Sequence, residues 1–139
     1  MIILSVDYGD ARTGIAVCDK SQILASPVKV INEKNRDKLI EEICLVVKEH
    51  SAEKIVLGLP KNMDGSEGFR CEACREFGSL LAQKSGLPVD YQDERLTTVS
   101  AHSILNATDT RGSKRKSVVD AVSAVLILED YLSKIKLSN

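Results

Sequence analysis

The hydrophobic and polar positions divide the chain into short apolar runs and stretches of helical spacing. Residues 2–6 form a short apolar run, and a second β-rich run follows at Thr13–Val17. Tyr8, Gly9 and Asp10 lie between them with turn chemistry, so the two runs predict an antiparallel hairpin. A third strand is expected near Val28–Ile31, after Pro27. Leu39, Ile40, Ile43, Val46 and Val47 then recur at helical spacing and predict an amphipathic helix over residues 36–49. Ile55-Val56-Leu57 reads as a compact strand ended by Gly58 and Pro60, and Lys61 to Gly68 as a polar loop. A helix follows to about Lys84, closed by Gly86 and Pro88, and Val89–Gln92 is a short strand. Thr97 or Thr98 can cap a helix reaching about Asn106. Thr108 to Lys116 lacks periodicity and reads as a basic loop. Ser117 opens the last expected helix, with Val118, Val122, Val125, Leu126, Leu132 and Ile135 as its apolar set. A strand meander followed by strands joined through helices predicts a mixed sheet flanked by helices.

Composition narrows the picture. A chain of 139 residues, 43% hydrophobic and 28% charged, suits one soluble globular domain over 1–139. Asp7 cuts the first apolar run too early for a secretory signal, and no segment approaches the roughly 18 apolar residues of a membrane span. The expected location is the cytoplasm, away from any membrane, with Cys18, Cys44, Cys71 and Cys74 as reduced thiols. Cys71 and Cys74 have Cys-x-x-Cys spacing, but a structural zinc site wants a second pair; buried thiols on a helix are the simpler reading. The net charge of −1 argues against a constitutive duplex binder, although Arg111, Lys114, Arg115 and Lys116 crowd one stretch without an acid.

Three acids interrupt apolar elements. Asp7 follows the first strand, Glu94 follows the last short strand, and Asp120 lies near the start of the final helix. Beside a core, a carboxylate costs free energy unless something compensates it. If the three converge they repel one another unless a cation binds, and hard oxygen ligands suit Mg²⁺ or Mn²⁺. Such ions activate water and stabilise a leaving oxygen in phosphodiester hydrolysis. Each acid also has a purely structural reading. Asp7 can close a turn, Glu94 can sit at a helix start, and Asp120 can complete a capping box with Ser117.

Two glycine-bearing segments add candidate anion contacts. Asp7-Tyr8-Gly9-Asp10-Ala11-Arg12-Thr13-Gly14 has the strand–turn–strand pattern of the actin-like kinase phosphate loop, yet 139 residues make one lobe where those proteins need two. Arg12 in it suits a carboxylate partner or a substrate phosphate. The loop from Gly58 to Gly68 joins a strand end to a helix start, with Lys61 and Arg70 flanking it. It lacks the Gly-Lys-Ser/Thr ending of a Walker loop, and Asp64-Gly65 can be a plain reversal.

Four motifs taken together resemble the YqgF family, also called RuvX. They are Asp7-Tyr8-Gly9…Arg12…Gly14, Gly58-Leu59-Pro60…Asn62-Met63-Asp64-Gly65-Ser66-Glu67, Asp93-Glu94-Arg95-Leu96-Thr97-Thr98 and Lys116…Val119-Asp120-Ala121. The resemblance implies a ribonuclease-H-like fold, a five-stranded mixed sheet with helices on both faces. It implies that Asp7, Glu94 and Asp120 are an acidic catalytic triad holding one or two Mg²⁺ or Mn²⁺ ions. It also implies hydrolysis of the precursor of 16S ribosomal RNA, or alternatively of a DNA Holliday junction. Phe69 stands where the family often has proline, and Cys18 where serine is common. With the triad as metal ligands, Arg12, Lys61, Arg111, Lys114, Arg115 and Lys116 are the expected phosphate contacts, acting by charge. Aromatic residues make up only 4%, so base stacking is a minor expectation. The reading from another class is a non-catalytic binding factor in transcription or ribosome assembly. The oligomeric state is not legible in the sequence.

Overall fold

The computed structural model describes residues 1–94 and 112–138, and side chains over 1–94 and 119–136. The expected helix after Thr97 or Thr98, and Arg111 with the residues just before it, lie outside the described residues. The elements are β1 (Ile3–Asp7), β2 (Thr13–Cys18), β3 (Ala25–Ile31), α1 (Arg36–His50), β4 (Lys54–Leu59), α2 (Phe69–Ser85), β5 (Val89–Asp93) and α3 (Gly112–Ser138). The strands form one sheet in the order β3-β2-β1-β4-β5. β1 pairs antiparallel with β2 and parallel with β4, and β4 pairs parallel with β5. This is the expected mixed sheet, with β1 at its centre.

Strand alternation decides which helix covers which face. Leu4 and Val6 pack with Ile55, Leu57 and the buried stripe of α1 and with Phe77 and Leu81 of α2. Ile3, Ala16 and Val56 pack on the opposite face against Ala124, Ile127, Leu128 and Tyr131 of α3. Helices therefore cover both faces. Asn35 caps α1 by accepting from the backbone amide of Lys38 at 3.1 Å, and Ser51 closes it in the left-handed conformation.

Two boundaries differ from expectation. β3 begins at Ala25 and runs through Pro27. It is an edge strand, so the missing amide of Pro27 removes no ladder bond on the open side, and a register shift opposite Ile15 and Ala16 takes up the irregularity. The last helix begins at Gly112, not Ser117, so Gly112–Lys116 are helical and not part of a basic loop. Lysine and arginine are strong helix formers, and their polarity hid these turns from a search for apolar periodicity. The face of α3 also differs. Of the expected apolar set Leu132 is buried, Val122, Val125, Leu126 and Ile135 are half-buried, and the Val118 side chain lies outside those described; Ala124, Ile127, Leu128 and Tyr131, outside that set, are buried.

Candidate active site

The parallel run of β1, β4 and β5 brings their C-terminal ends to one edge of the sheet, where open α/β sheets place ligands. Asp7 ends β1, and Glu94 follows β5 with its amide donating to the Leu59 carbonyl at 3.2 Å. Asp7 shares the face of Ile3 and Ser5, which is the face covered by α3. Ser5 Oγ donates to the carbonyl of Ala124 at 2.7 Å, fixing the helix over the strand. Asp7 lies opposite Gly14 in the ladder, and a Cβ on Gly14 would collide with the carbonyl oxygen of Asp120. The missing side chain thus lets α3 approach β2 closely enough to deliver Asp120. On β4, a Cβ on Gly58 would stand 2.5 Å from Glu94 Oε2 and 2.6 Å from Ile127, so that glycine makes room for the second carboxylate.

The three acids line one cleft of about 360 Å³, together with Tyr8, Gly9, Arg12, Pro60, Lys61 and Arg70. Burial pushes the Asp7 carboxyl up to about 6; the Asp120 charge adds to this, while a hydrogen bond from Glu94 and the Arg70 charge oppose it. Burial likewise pushes Glu94 up to about 9, helped by the Asp7 charge and by donating that hydrogen bond. Without a cation the two carboxyls therefore share a proton, held on Glu94. Asp120 has a different partner: Arg12 Nε donates to its Oδ2 at 2.7 Å. Of the two roles open to Arg12, the structure displays the carboxylate one. Among the described residues, no three His, Cys, Asp or Glu side chains stand arranged around one point as a metal cage. The proton bond and the Arg12 ion pair hold the acids in two groups within the same cleft.

Lys61 reaches the cleft because the loop behind it is internally braced. The Asn62 amide donates to the Ser66 carbonyl at 2.9 Å, the Gly65 amide donates to Asn62 at 2.8 Å, and Ser66 Oγ donates to Asp64 Oδ1 at 2.6 Å. Gly65 takes φ 89°, the left-handed reversal expected at Asp64-Gly65. Arg75 clasps Glu67 through two bonds of 2.9 Å, tying the loop to α2. Arg70, in the first turn of that helix, also lines the cleft. In the sequence Arg70 is legible only as a flanking charge; its place two residues after the helix cap Gly68 is the signal that puts it here. Lys114, Arg115 and Lys116 lie in the first turns of α3, ahead of Asp120. Cys71 and Cys74 are buried core thiols of α2; burial raises both, Cys74 to about 12, which leaves the unreactive protonated form.

A five-stranded mixed sheet in this order with helices on both faces is the ribonuclease-H-like fold. Thermus thermophilus RuvC has this fold, with a TM-score of 0.58 at 12% identity over 98% of this chain and 97% of that one. The fowlpox virus resolvase in complex with Holliday junction DNA aligns with a TM-score of 0.55 at 13% identity, over 97% and 99%. At such identities the likeness is one of fold. Residues 1–134 match the family model RuvX, described as a Holliday junction resolvase, and the chain belongs to this family. A relative from Agathobacter rectalis is 44% identical over 138 residues, covering 95% of this chain and 94% of its own. Another from Pediococcus pentosaceus is 46% identical over 136 residues, covering 96% and 93%. Both are provisionally named pre-16S rRNA nucleases. Among the described residues, no helix is long and apolar enough to cross a membrane.

Proposed function

We propose that this protein is a divalent-metal-dependent endonuclease of the cytoplasm that hydrolyses phosphodiester bonds in the precursor of 16S ribosomal RNA. The observation that carries the reading is the gathering of Asp7, Glu94 and Asp120 in one cleft that also presents Lys61 and Arg70. The names of the relatives point to the same substrate.

The donor set fits Mg²⁺ or Mn²⁺. Two half-buried carboxyls that must share a proton are a poor resting arrangement for any protein, and a hard cation removes the conflict by taking the proton's place. Asp7, Glu94 and Asp120 would hold it. When bound, the metal supplies an activated water and charge stabilisation at the leaving oxygen. The chain's own residues do the rest. Lys61 and Arg70 attract the substrate phosphate and set its position at the strand ends. Arg12 holds Asp120 until substrate competes for its guanidinium. The buried floor formed by β1 and β4 excludes bulk water from beneath the reacting phosphate, which strengthens each of these electrostatic contacts.

The test is a side-by-side incubation of precursor rRNA and a four-way DNA junction with the protein in Mg²⁺, in Mn²⁺ and in chelator. The expected result is metal-dependent cutting of the precursor, reduced by about two orders of magnitude or more in Asp7→Asn. Preferential cutting of the junction would instead favour the resolvase reading, to which the family description points. No cutting of either would favour the non-catalytic binding factor.

A further inference from the structure

The chain contains three tyrosines and two phenylalanines, and three of these five rings gather beside the cleft. The Tyr8 ring lies flat on Phe77, with centroids 3.9 Å apart and planes within 5°. Phe77 is fully buried and anchors the pair, whereas Tyr8 is half-buried and faces a hollow of about 130 Å³. The other walls of that hollow are Asp10, Phe69, Arg70, Ala73 and Cys74. Phe69 is 81% exposed, so it contributes little to the core. Tyr8 and Arg70 line the hollow and the acidic cleft alike, which makes the two neighbours with a shared wall.

We infer that this hollow is a nucleobase subsite, in which one unpaired base of single-stranded RNA stacks between Tyr8 and Phe69 while Arg70 holds the phosphate next to it. The inference rests on the nuclease reading and names the form of substrate that the cleft accepts. Aromatic faces bind any base, because every base has a π-face, and a ring braced from behind loses little freedom when it is used. The charges give the nucleotide a direction. Asp10 repels phosphate and, as an acceptor, suits the N–H donors of a base edge; Arg70 on the cleft side suits the backbone. A paired base cannot enter, because its faces and its donor edge are already occupied within the duplex. The subsite therefore sets a preference for an unpaired residue beside the bond to be cut, as at a single-stranded end or junction of a precursor. Low aromatic content is no obstacle to such stacking when the rings present are concentrated at one place.

The experiment uses the full chain in chelator, so that no cutting occurs, with short single-stranded RNA carrying 2-aminopurine at each position in turn. The expected result is stacking-induced quenching at one position. Removing the base there to leave an abasic nucleotide should weaken binding by about 5- to 100-fold. Phe69→Ala should abolish both the quenching and the abasic effect, and Phe69→Trp should restore them; the exposure of Phe69 keeps either variant folded. Equal binding of the intact and abasic strands by the unaltered protein overturns the subsite, as does an abasic penalty that survives in Phe69→Ala. Either outcome leaves metal-dependent cutting to be judged by its own assay. Base-dependent binding without any cutting in Mg²⁺ or Mn²⁺ sinks the nuclease reading and leaves the subsite standing.

Discussion

At the scale of single residues, the Asp7–Glu94 pair dominates the behaviour of the metal-free protein. Both carboxyls titrate above their ordinary values of 3.8 and 4.5 because burial disfavours their charge. The folded state thus binds more protons than the unfolded chain, and stability falls as pH rises. The contribution is intact below about pH 4 and is lost progressively toward about pH 9, where Glu94 gives up its proton. Thermal melts in chelator across that window should show the melting temperature declining with pH. Asp7→Asn should flatten the decline and melt higher than the unaltered protein at neutral pH, by roughly 2–4 °C for each kcal/mol of repulsion removed. Saturating Mn²⁺ should erase most of the difference between the two proteins. A variant that melts lower at every pH would return Asp7 to the role of a structural turn residue. The sequence made the three acids legible because each interrupts an apolar element. It did not make the Arg12–Asp120 pairing legible, because guanidinium chemistry suits carboxylate and phosphate equally and only distance decides between them.

At the scale of elements, the close approach of α3 to β2 is set by an absence. Gly14→Ala places a methyl group against the Asp120 carbonyl, which belongs to helix backbone and cannot rotate aside. Overpacking of this kind typically costs about 1–3 kcal/mol. The melting temperature should fall accordingly, and cutting should fall further than the folded fraction does, because Asp120 is carried away with the helix. Unchanged cutting per folded molecule would show that the cleft tolerates a displaced α3. Elements with a clear apolar pattern, such as α1 and β2, were legible almost to the residue, whereas β4 runs through Gly58, which reads as its end. β3 and α3 were not, and for different reasons. Pro27 reads as a strand breaker unless the strand is known to lie at an edge, a property of the whole sheet. Gly112–Lys116 reads as a loop because a polar helical turn leaves no apolar signature. The capping role considered for Ser117 and Asp120 disappears with it, since both lie well inside the helix.

At the scale of the whole molecule, the balance of charge poses a problem that its distribution answers. The net charge is −1, and the cleft itself is acidic, so long-range attraction for RNA must come from local basic stretches. Lys116 precedes Asp120 by four residues, one turn of α3, and Lys114 and Arg115 come just before it. RNA affinity should fall with salt by about 0.7 to 0.9 log units per decade for each phosphate neutralised. Replacing Lys114, Arg115 and Lys116 together with alanine should lower that slope by about 2 units while leaving Mn²⁺ affinity unchanged. An unaltered slope would make these residues a solvated helix end with no part in binding.

The far end of α3 is tied down as firmly as the near end. Tyr131 donates to Asp90 Oδ2 at 2.7 Å, and Lys54 sits over the same ring at 5.2 Å. From Asp90 the strand runs about 13 Å to Glu94, and from Tyr131 the helix runs back about 16 Å to Asp120. Strand, Tyr131 hydroxyl bond and helix form three sides of a four-sided frame, and its open fourth side is the gap between Glu94 and Asp120. The two acids therefore stand at the tips of two arms that share one joint. That joint lies at the opposite end of the strands from the cleft, so it bears on the span between Glu94 and Asp120 from a place no substrate touches.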